Sequence, residues 1–282
     1  MTFIDRVTAF FASIFASILA FFSALFVRRS RAPPIDLEAK IIDISPDPTP
    51  QPTPHGSPRL LSAAEVFDSV GPAYEDAFQG LPTQAAAIDW LVDELDKTHP
   101  RGGARIVDVG CGTGRPACSV LADAGHDVLG IDISEAMLRA ARERVPNARF
   151  ELMDVRAFLE REKNNAGTYD AVTIFFSLIA GVTQADIREI HAGLARLLKP
   201  GGFMVFSTVP LPVENESIKW MGRPLVVSSL SPEDAVASVS AAGLDIIYQG
   251  VTQFLPRASE AGICKPDEVW EEPHLFVYAR KA

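Results

Sequence analysis

Apolar and polar positions change period repeatedly along this chain. Short apolar runs rich in β-branched residues predict strands at 104–109, 127–132, 149–153, 170–176, 202–208, 244–252 and 274–280. Between them, apolar residues three or four apart predict helices near 62–79, 83–97, 115–124, 135–144, 184–198 and 232–242. Ser134 stands where the 135–144 helix needs a side-chain cap. Alternation of this kind predicts an α/β fold with a mostly parallel sheet, and no internal repeat interrupts it.

The pattern breaks at the amino terminus. Residues 7–27, VTAFFASIFASILAFFSALFV, carry no charge, and a helix of that length would cross roughly 30 Å, the thickness of a bilayer's hydrocarbon core. The expectation is a single transmembrane anchor over 1–30. Arg28, Arg29 and Arg31 on its downstream flank place the rest of the chain in the cytosol. A cleaved signal peptide and a folded core helix are the alternatives. Ala12, Ala16, Ala20 and Ala24 form a ladder through which two such helices could approach, a weak hint of a homodimer. Eight prolines between residues 31 and 60 predict an extended linker, leaving 61–282 as the folded domain.

Charge narrows the partners. The formal net charge of −10 arises beyond residue 60, where 20 basic residues face 31 acidic ones, so a nucleic-acid backbone would be repelled. Cys111, Cys118 and Cys264 lack metal-type spacing and read as buried thiols in a reducing compartment. No cluster of Asp, Glu and His spells out a metal site.

The most informative stretch is IVDVGCGTG at 106–114. A glycine-rich strand-to-helix turn lets the backbone approach a ligand and aims the helix amino terminus at it. A dinucleotide fingerprint would place its third glycine at position 115, which is Arg115; the turn instead closes at Gly114. This pattern resembles the first motif of the class I S-adenosylmethionine-dependent methyltransferases. The resemblance continues in order through VLGIDISEAML (128–138), LMDV (152–155), YDAVTIFFSL (169–178) and LARLLKPGGFMVFST (194–208). It implies a three-layer Rossmann-like fold with seven mostly parallel strands, the last antiparallel. It also implies S-adenosyl-L-methionine as cofactor and a small-molecule methyl acceptor.

Site residues follow from that resemblance. Gly110, Cys111, Gly112 and Gly114 would form the cofactor turn, and Asp108 would brace it from behind or meet the methionine amino group through water. Asp132, ending the second strand 22 residues after Gly110, would accept the ribose hydroxyls. Ile133 and Met137 would pack on the adenine, with Asp154 and the Val155 N–H at its polar edge. Phe176 and Ser177 follow the fourth strand at the carboxyl edge of the sheet. Tyr74 would close over the methionine end. Each has a plain structural alternative, from strand end to core or cover helix.

The implied reaction is in-line displacement on a sulfonium methyl group, for which alignment and exclusion of water matter most. No general base is assigned: His126, His191 and His274 each read as structural. Substrate choice is expected in 62–80, 209–224 and 253–273, which bring Met221, Trp220, Phe254 and Trp270, and acidic Glu214, Glu216, Glu260 and Glu268. Two other functions stay open: an NAD(P)-dependent oxidoreductase, and a non-catalytic adenosylmethionine-binding regulatory protein.

Overall fold

The computed structural model describes residues 59–282. The expected anchor at 7–27 and nearly all of the linker lie outside the described residues. Among the described residues no helix is long and apolar enough to cross a membrane.

Three helices precede the sheet: α1 (Ala63–Val70), α2 (Ala73–Phe78) and α3 (Pro82–Asp96). The single helix expected over 62–79 is two, because Gly71 adopts φ 57° and Pro72 follows it, leaving no donor to carry the helical ladder on. Then come β1 (Arg105–Val109), α4 (Ala117–Asp123), β2 (Asp127–Asp132), α5 (Glu135–Arg144) and β3 (Arg149–Leu152). Ser134 caps α5 by accepting from the Met137 N–H, as expected. A short helix that periodicity did not reveal, α6 (Val155–Arg161), is capped by Asp154. The chain continues through β4 (Tyr169–Phe175), α7 (Gln184–Leu197) and β5 (Leu198–Thr208).

Seven strands form one sheet in the order β3-β2-β1-β4-β5-β9-β8, where β8 spans Leu244–Phe254 and β9 spans Glu272–Lys281. Only β9 runs against its neighbours, so the expectation of an antiparallel last strand holds. The Pro-Gly-Gly segment lies inside β5 rather than ahead of it: Leu198 pairs with Tyr169, then the chain bulges and re-enters with Phe203 opposite Ala171.

The stretch after β5 is also more ordered than expected of a variable loop. It forms a hairpin, β6 (Val213–Trp220) and β7 (Arg223–Ser229), before α8 (Pro232–Ala241) leads into β8. Its two-residue turn, Met221–Gly222, has both φ values positive, the geometry that matches strand twist.

One apolar cluster fills the face under α6, α7 and α8, with Phe158, Ile174, Leu194 and Phe206 among its buried members. The second lies under α3 and α4, around Ile88, Leu91, Ile106 and Leu121. Each such side chain, fully buried, contributes about 1.5–3 kcal/mol, which holds the strand ends in fixed register. The chain leaves β1 towards β2 and β3, then crosses back to β4 on the other side, so a crevice opens at the carboxyl ends of β1 and β4.

Candidate functional site at the carboxyl edge of the sheet

The glycine turn fills that crevice. Gly110 and Cys111 both donate to the Ile131 carbonyl, at 2.8 and 3.0 Å, which folds the turn across the end of β2. Gly110 has φ 69°, and a Cβ there would stand 2.1 Å from the Ser177 Cβ, so no side chain fits. Gly112 has φ 54° with nothing within 4 Å of the space a Cβ would take; that space belongs to the crevice. Gly114 lies beneath Phe150 and Val145 at the entry to α4.

Asp132 is held by backbone alone. Its two carboxylate oxygens accept the Gly112 and Ser134 N–H groups, each at 2.8 Å, and the side chain is 9 % exposed. Burial raises its pKa above the ordinary aspartate value, while N–H groups of Ser134, Gly112 and Ile133 favour the ionised form. Each oxygen keeps a lone-pair direction for a further donor.

Two cavities meet at the turn. One, of about 370 Å³, is lined by Gly110, Gly112, Asp132, Ile133, Met137 and Asp154, together with Val155 and Ser177. The other, of about 350 Å³, is lined by Asp108, Gly110, Cys111, Gly112, Thr113 and Phe78. Tyr74, Phe175 and Phe176 wall both. Every residue expected at the cofactor except Gly114 therefore borders this space, whereas Trp220, Met221, Phe254 and Trp270, expected to choose the substrate, line neither cavity. Ile133, 37 % exposed, offers an apolar face at the rim, whereas Met137 is buried behind it.

Several of these residues carry structural duties as well. Asp108 accepts from Thr173 Oγ1 at 2.6 Å and from Cys118 Sγ at 3.2 Å, and burial pushes its pKa up to about 6. Its hydrogen bonds run to β4 and α4, on either side of the turn. The Cys111 side chain packs in the core, so only its backbone and flank serve the cavity. Ser177 Oγ donates to the Val109 carbonyl at 2.7 Å, which locks β4 to the turn. Asp154 caps α6 through the Arg156 N–H and pairs with the Arg156 guanidinium, whose charge and hydrogen bonds hold its pKa low. Oδ2 alone of its oxygens keeps spare acceptor capacity.

The sequence reading did not single out the residues that fasten the roof. Asp68 of α1 accepts from Ser134 Oγ at 2.6 Å and the Ala136 N–H at 3.1 Å. Glu75 of α2 accepts from Thr113 Oγ1 at 2.9 Å and pairs with Arg144. Two carboxylates thus tie the cover helices to the ends of β1 and β2. Under the roof, Tyr74 stacks on Phe78 at 4.5 Å between centroids, with Phe67 and Trp220 alongside. Burial, then the charges of Glu272 and Asp132, raises the Tyr74 pKa and keeps its hydroxyl protonated.

The strand pair at the far edge adds a further group. Glu272 pairs in register with Phe254, and His274 with Thr252, at the end of β9 nearest the ends of β4 and β5. Alternation puts Glu272 and His274 on one face, a signal the E-x-H spacing carried in the sequence. Among the described residues no group of three His, Cys, Asp or Glu could hold a metal ion.

Known proteins resemble this chain in sequence and in fold. Residues 106–202 match the family model described as a methyltransferase domain. A demethylmenaquinone methyltransferase of Corynebacterium kroppenstedtii is 35 % identical over 155 residues, covering 53 % of this chain and 62 % of that protein. A ubiquinone biosynthesis O-methyltransferase of Acinetobacter baylyi is 39 % identical over 129 residues, covering 43 % of this chain and 49 % of that one. The match thus spans between about half and three-fifths of these relatives' length. In structure, a SAM-dependent methyltransferase from Methanosarcina mazei superposes with a TM-score of 0.53 at 16 % identity, covering 66 % of this chain and 96 % of its own, which establishes a shared fold.

Proposed function

We propose that this chain, which carries a class I S-adenosylmethionine-dependent methyltransferase domain, transfers a methyl group to O, N or S of a small hydrophobic metabolite. The observation that carries this reading is the pair of cavities joined at one glycine turn, with a backbone-oriented Asp132 on one side and an aromatic roof on the other.

The residues present fit S-adenosylmethionine. Asp132, its oxygens already oriented by two N–H donors, takes the ribose hydroxyls with its remaining lone pairs. Ile133, with Met137 among the lining, would pack on the adenine, and Asp154 and the Val155 N–H would meet its polar edge. The open space at Gly112 admits the chain of the cofactor, and Asp108 with the turn backbone serves the methionine end. When bound, the cofactor supplies a methyl group on a positively charged sulfur, already a strong electrophile. The protein's part is alignment and dryness. The roof bound by Asp68 and Glu75 excludes water, and Tyr74 and Phe176 lie at the junction where the two cavities meet. The nicotinamide alternative is set aside because the glycine pattern closes one residue early and the methyltransferase family model spans it.

The two relatives, a demethylmenaquinone methyltransferase and a ubiquinone biosynthesis O-methyltransferase, support an acceptor that is apolar and ring-shaped. The uncharged segment 7–27 supports the same reading, since a cytosol-facing domain on a membrane anchor would meet lipid-soluble acceptors at raised concentration.

Calorimetric titration of the full chain in detergent, with S-adenosylmethionine and separately with NADH, tests the reading. Micromolar binding of the former alone is expected, weakened well over tenfold by Asp132→Ala, since charge-assisted bonds are worth about 1.5–3 kcal/mol each. Binding of NADH alone overturns it. Binding of S-adenosylmethionine without methyl transfer to any acceptor class leaves the non-catalytic regulatory alternative.

A further inference from the structure

The strongest unexplained feature lies one layer behind the aromatic wall. The His274 imidazole is 0 % exposed, yet its Nδ1 has no hydrogen-bond partner. Its Nε2 lies 3.4 Å from Glu272 Oε2, and the other Glu272 oxygen accepts the Trp220 indole N–H at 3.0 Å. Thr252 Oγ1, on the residue paired with His274, is likewise buried and unpartnered. Buried polar atoms without partners are uncommon, and two on adjacent strands mark a place built to receive a polar group.

The surroundings are aromatic. The imidazole centroid is 4.3 Å from that of Phe176, 5.5 Å from Phe254 and 6.5 Å from Phe78. Phe176 walls both cavities, and the imidazole, which lines neither, packs against its ring. Phe176 itself has φ 57°, a backbone conformation that non-glycine residues seldom adopt, and its N–H is fixed on the Ser207 carbonyl. Such strain is kept where the position of a side chain matters.

Glu272 settles which nitrogen is free. A carboxylate beside Nε2 holds the proton there in the neutral ring, leaving the Nδ1 lone pair as the open acceptor. Both Glu272 oxygens are engaged, by His274 and Trp220. What remains is one proton-accepting nitrogen, with the Thr252 hydroxyl on the paired residue, in a wall of aromatic faces. Its complement is a single hydroxyl on a flat aromatic ring.

We infer that the acceptor is an aromatic hydroxyl compound and that the Glu272–His274 pair takes its proton. This rests on the methyltransferase reading above. The hydroxyl proton passes to His274 Nδ1 as the phenolic oxygen bonds to the methyl carbon. The carbon–sulfur bond breaks, its electron pair stays on sulfur, and neutral S-adenosylhomocysteine leaves. Glu272 offsets the charge of the imidazolium and holds its orientation, and the Trp220 indole fixes Glu272. His274 lines neither cavity, so the proton transfer requires the Phe176 ring to turn aside and open Nδ1 to the junction walled by Tyr74 and Phe78.

The test uses the full chain with S-adenosylmethionine and four probes: a monophenol of ordinary acidity, a nitrophenol ionised at the assay pH, an alkylamine and a thiol. O-methylation of the monophenol is expected. His274→Ala and the better-filling His274→Gln should each lower kcat on it by about 10²–10⁴-fold, the usual worth of a positioned base. Both should bind S-adenosylmethionine within twofold of the parent and lose less than tenfold on the nitrophenol, which has no proton to give. Glu272→Gln should lower kcat on the monophenol more than on the nitrophenol, and calorimetry with S-adenosylhomocysteine present should show weaker monophenol binding by both His274 variants. Equal losses on both phenols would make His274 structural and overturn the inference. Methylation of only the amine or thiol, unchanged by the His274 variants, would overturn it while the methyltransferase reading stands. Failure of the parent chain to bind S-adenosylmethionine overturns both.

Discussion

The two ends of the crevice are built by different means. The donor end comes from one nearly continuous stretch, 106–155, in which the turn, Asp132 and the start of α6 follow one another along three adjacent parallel strands. Its polar chemistry is largely backbone N–H groups and the carboxylates of Asp108, Asp132 and Asp154. The end proposed for the acceptor gathers segments far apart in the chain: Phe67 to Phe78, Phe176, Trp220, Phe254 and the Glu272–His274 pair. Its chemistry is almost all side chain. A parallel strand edge with a glycine turn is a recurrent solution because N–H groups at a strand-to-helix junction point where the fold puts them. An aromatic wall has no such constraint and is free to follow the acceptor.

That contrast can be broken or sharpened by experiment. The largest effect is expected from Asp132→Ala, which should reduce S-adenosylmethionine affinity by more than a hundredfold if both charge-assisted bonds, about 1.5–3 kcal/mol each, are lost. Acceptor-side variants such as His274→Ala should leave that affinity alone. If calorimetry found the two equally damaging, the ends would not be separable units.

Next is Gly110→Ala, which forces a Cβ to 2.1 Å from Ser177 and a side chain into φ 69°. A stability loss on the order of 3 kcal/mol is expected from clash and strain together, with donor binding lost in parallel, read by thermal melts and titration. Retention of full donor affinity would show that the turn tolerates a shift.

Asp108 tests the bracing role through pH. Its folded pKa of about 6 exceeds the 3.8 of an ordinary aspartate because burial outweighs the hydrogen bonds from Thr173 and Cys118. The folded state therefore binds more protons between those values, and this group lowers stability as pH rises from about 4 to 6, by roughly 2–3 kcal/mol in all. The cost is complete above pH 6 and absent below 3.8. Asp108→Asn should flatten that part of the stability profile in chemical denaturation at a series of pH values; an unchanged slope would place the titration elsewhere.

The smallest effect is expected from Glu75→Gln, which removes the charge pairing α2 to Arg144 while leaving an acceptor for Thr113. A KM increase of roughly tenfold or less is expected for donor and acceptor together, since one charged hydrogen bond is worth about 1.5 kcal/mol. A change confined to the acceptor would assign α2 to that end alone.

Much of the fold was legible because local rules and global topology agree. Period-2 and period-3.6 runs located six of the expected strands within about two residues, and Ser134 caps α5 as its position foretold. The disagreements have local causes: Gly71 divides the cover helix, α6 is too short for periodicity to register, and Met221–Gly222 is an unusual pair for a hairpin turn. The residues proposed for the donor border the crevice for the same reason the fold was legible, since spacing along one strand–turn–helix unit fixes where they lie. Spacing did not reveal that Ser177 locks the turn, that Asp154 is shared with Arg156, or that Asp68 and Glu75 hold the roof.

The sequence alone determined the α/β topology, the glycine turn and the carboxylate at the end of β2, because each is set by residues a few positions apart whose backbone geometry leaves little choice. Only the tertiary structure decided the acceptor end. His274 looked like an ordinary strand residue until register with β8 and β5 brought it behind Phe176, and Trp220 until the hairpin folded back to reach Glu272. Those contacts join residues more than fifty positions apart, and burial of the aromatic rings, which no local pattern encodes, is what brings them together.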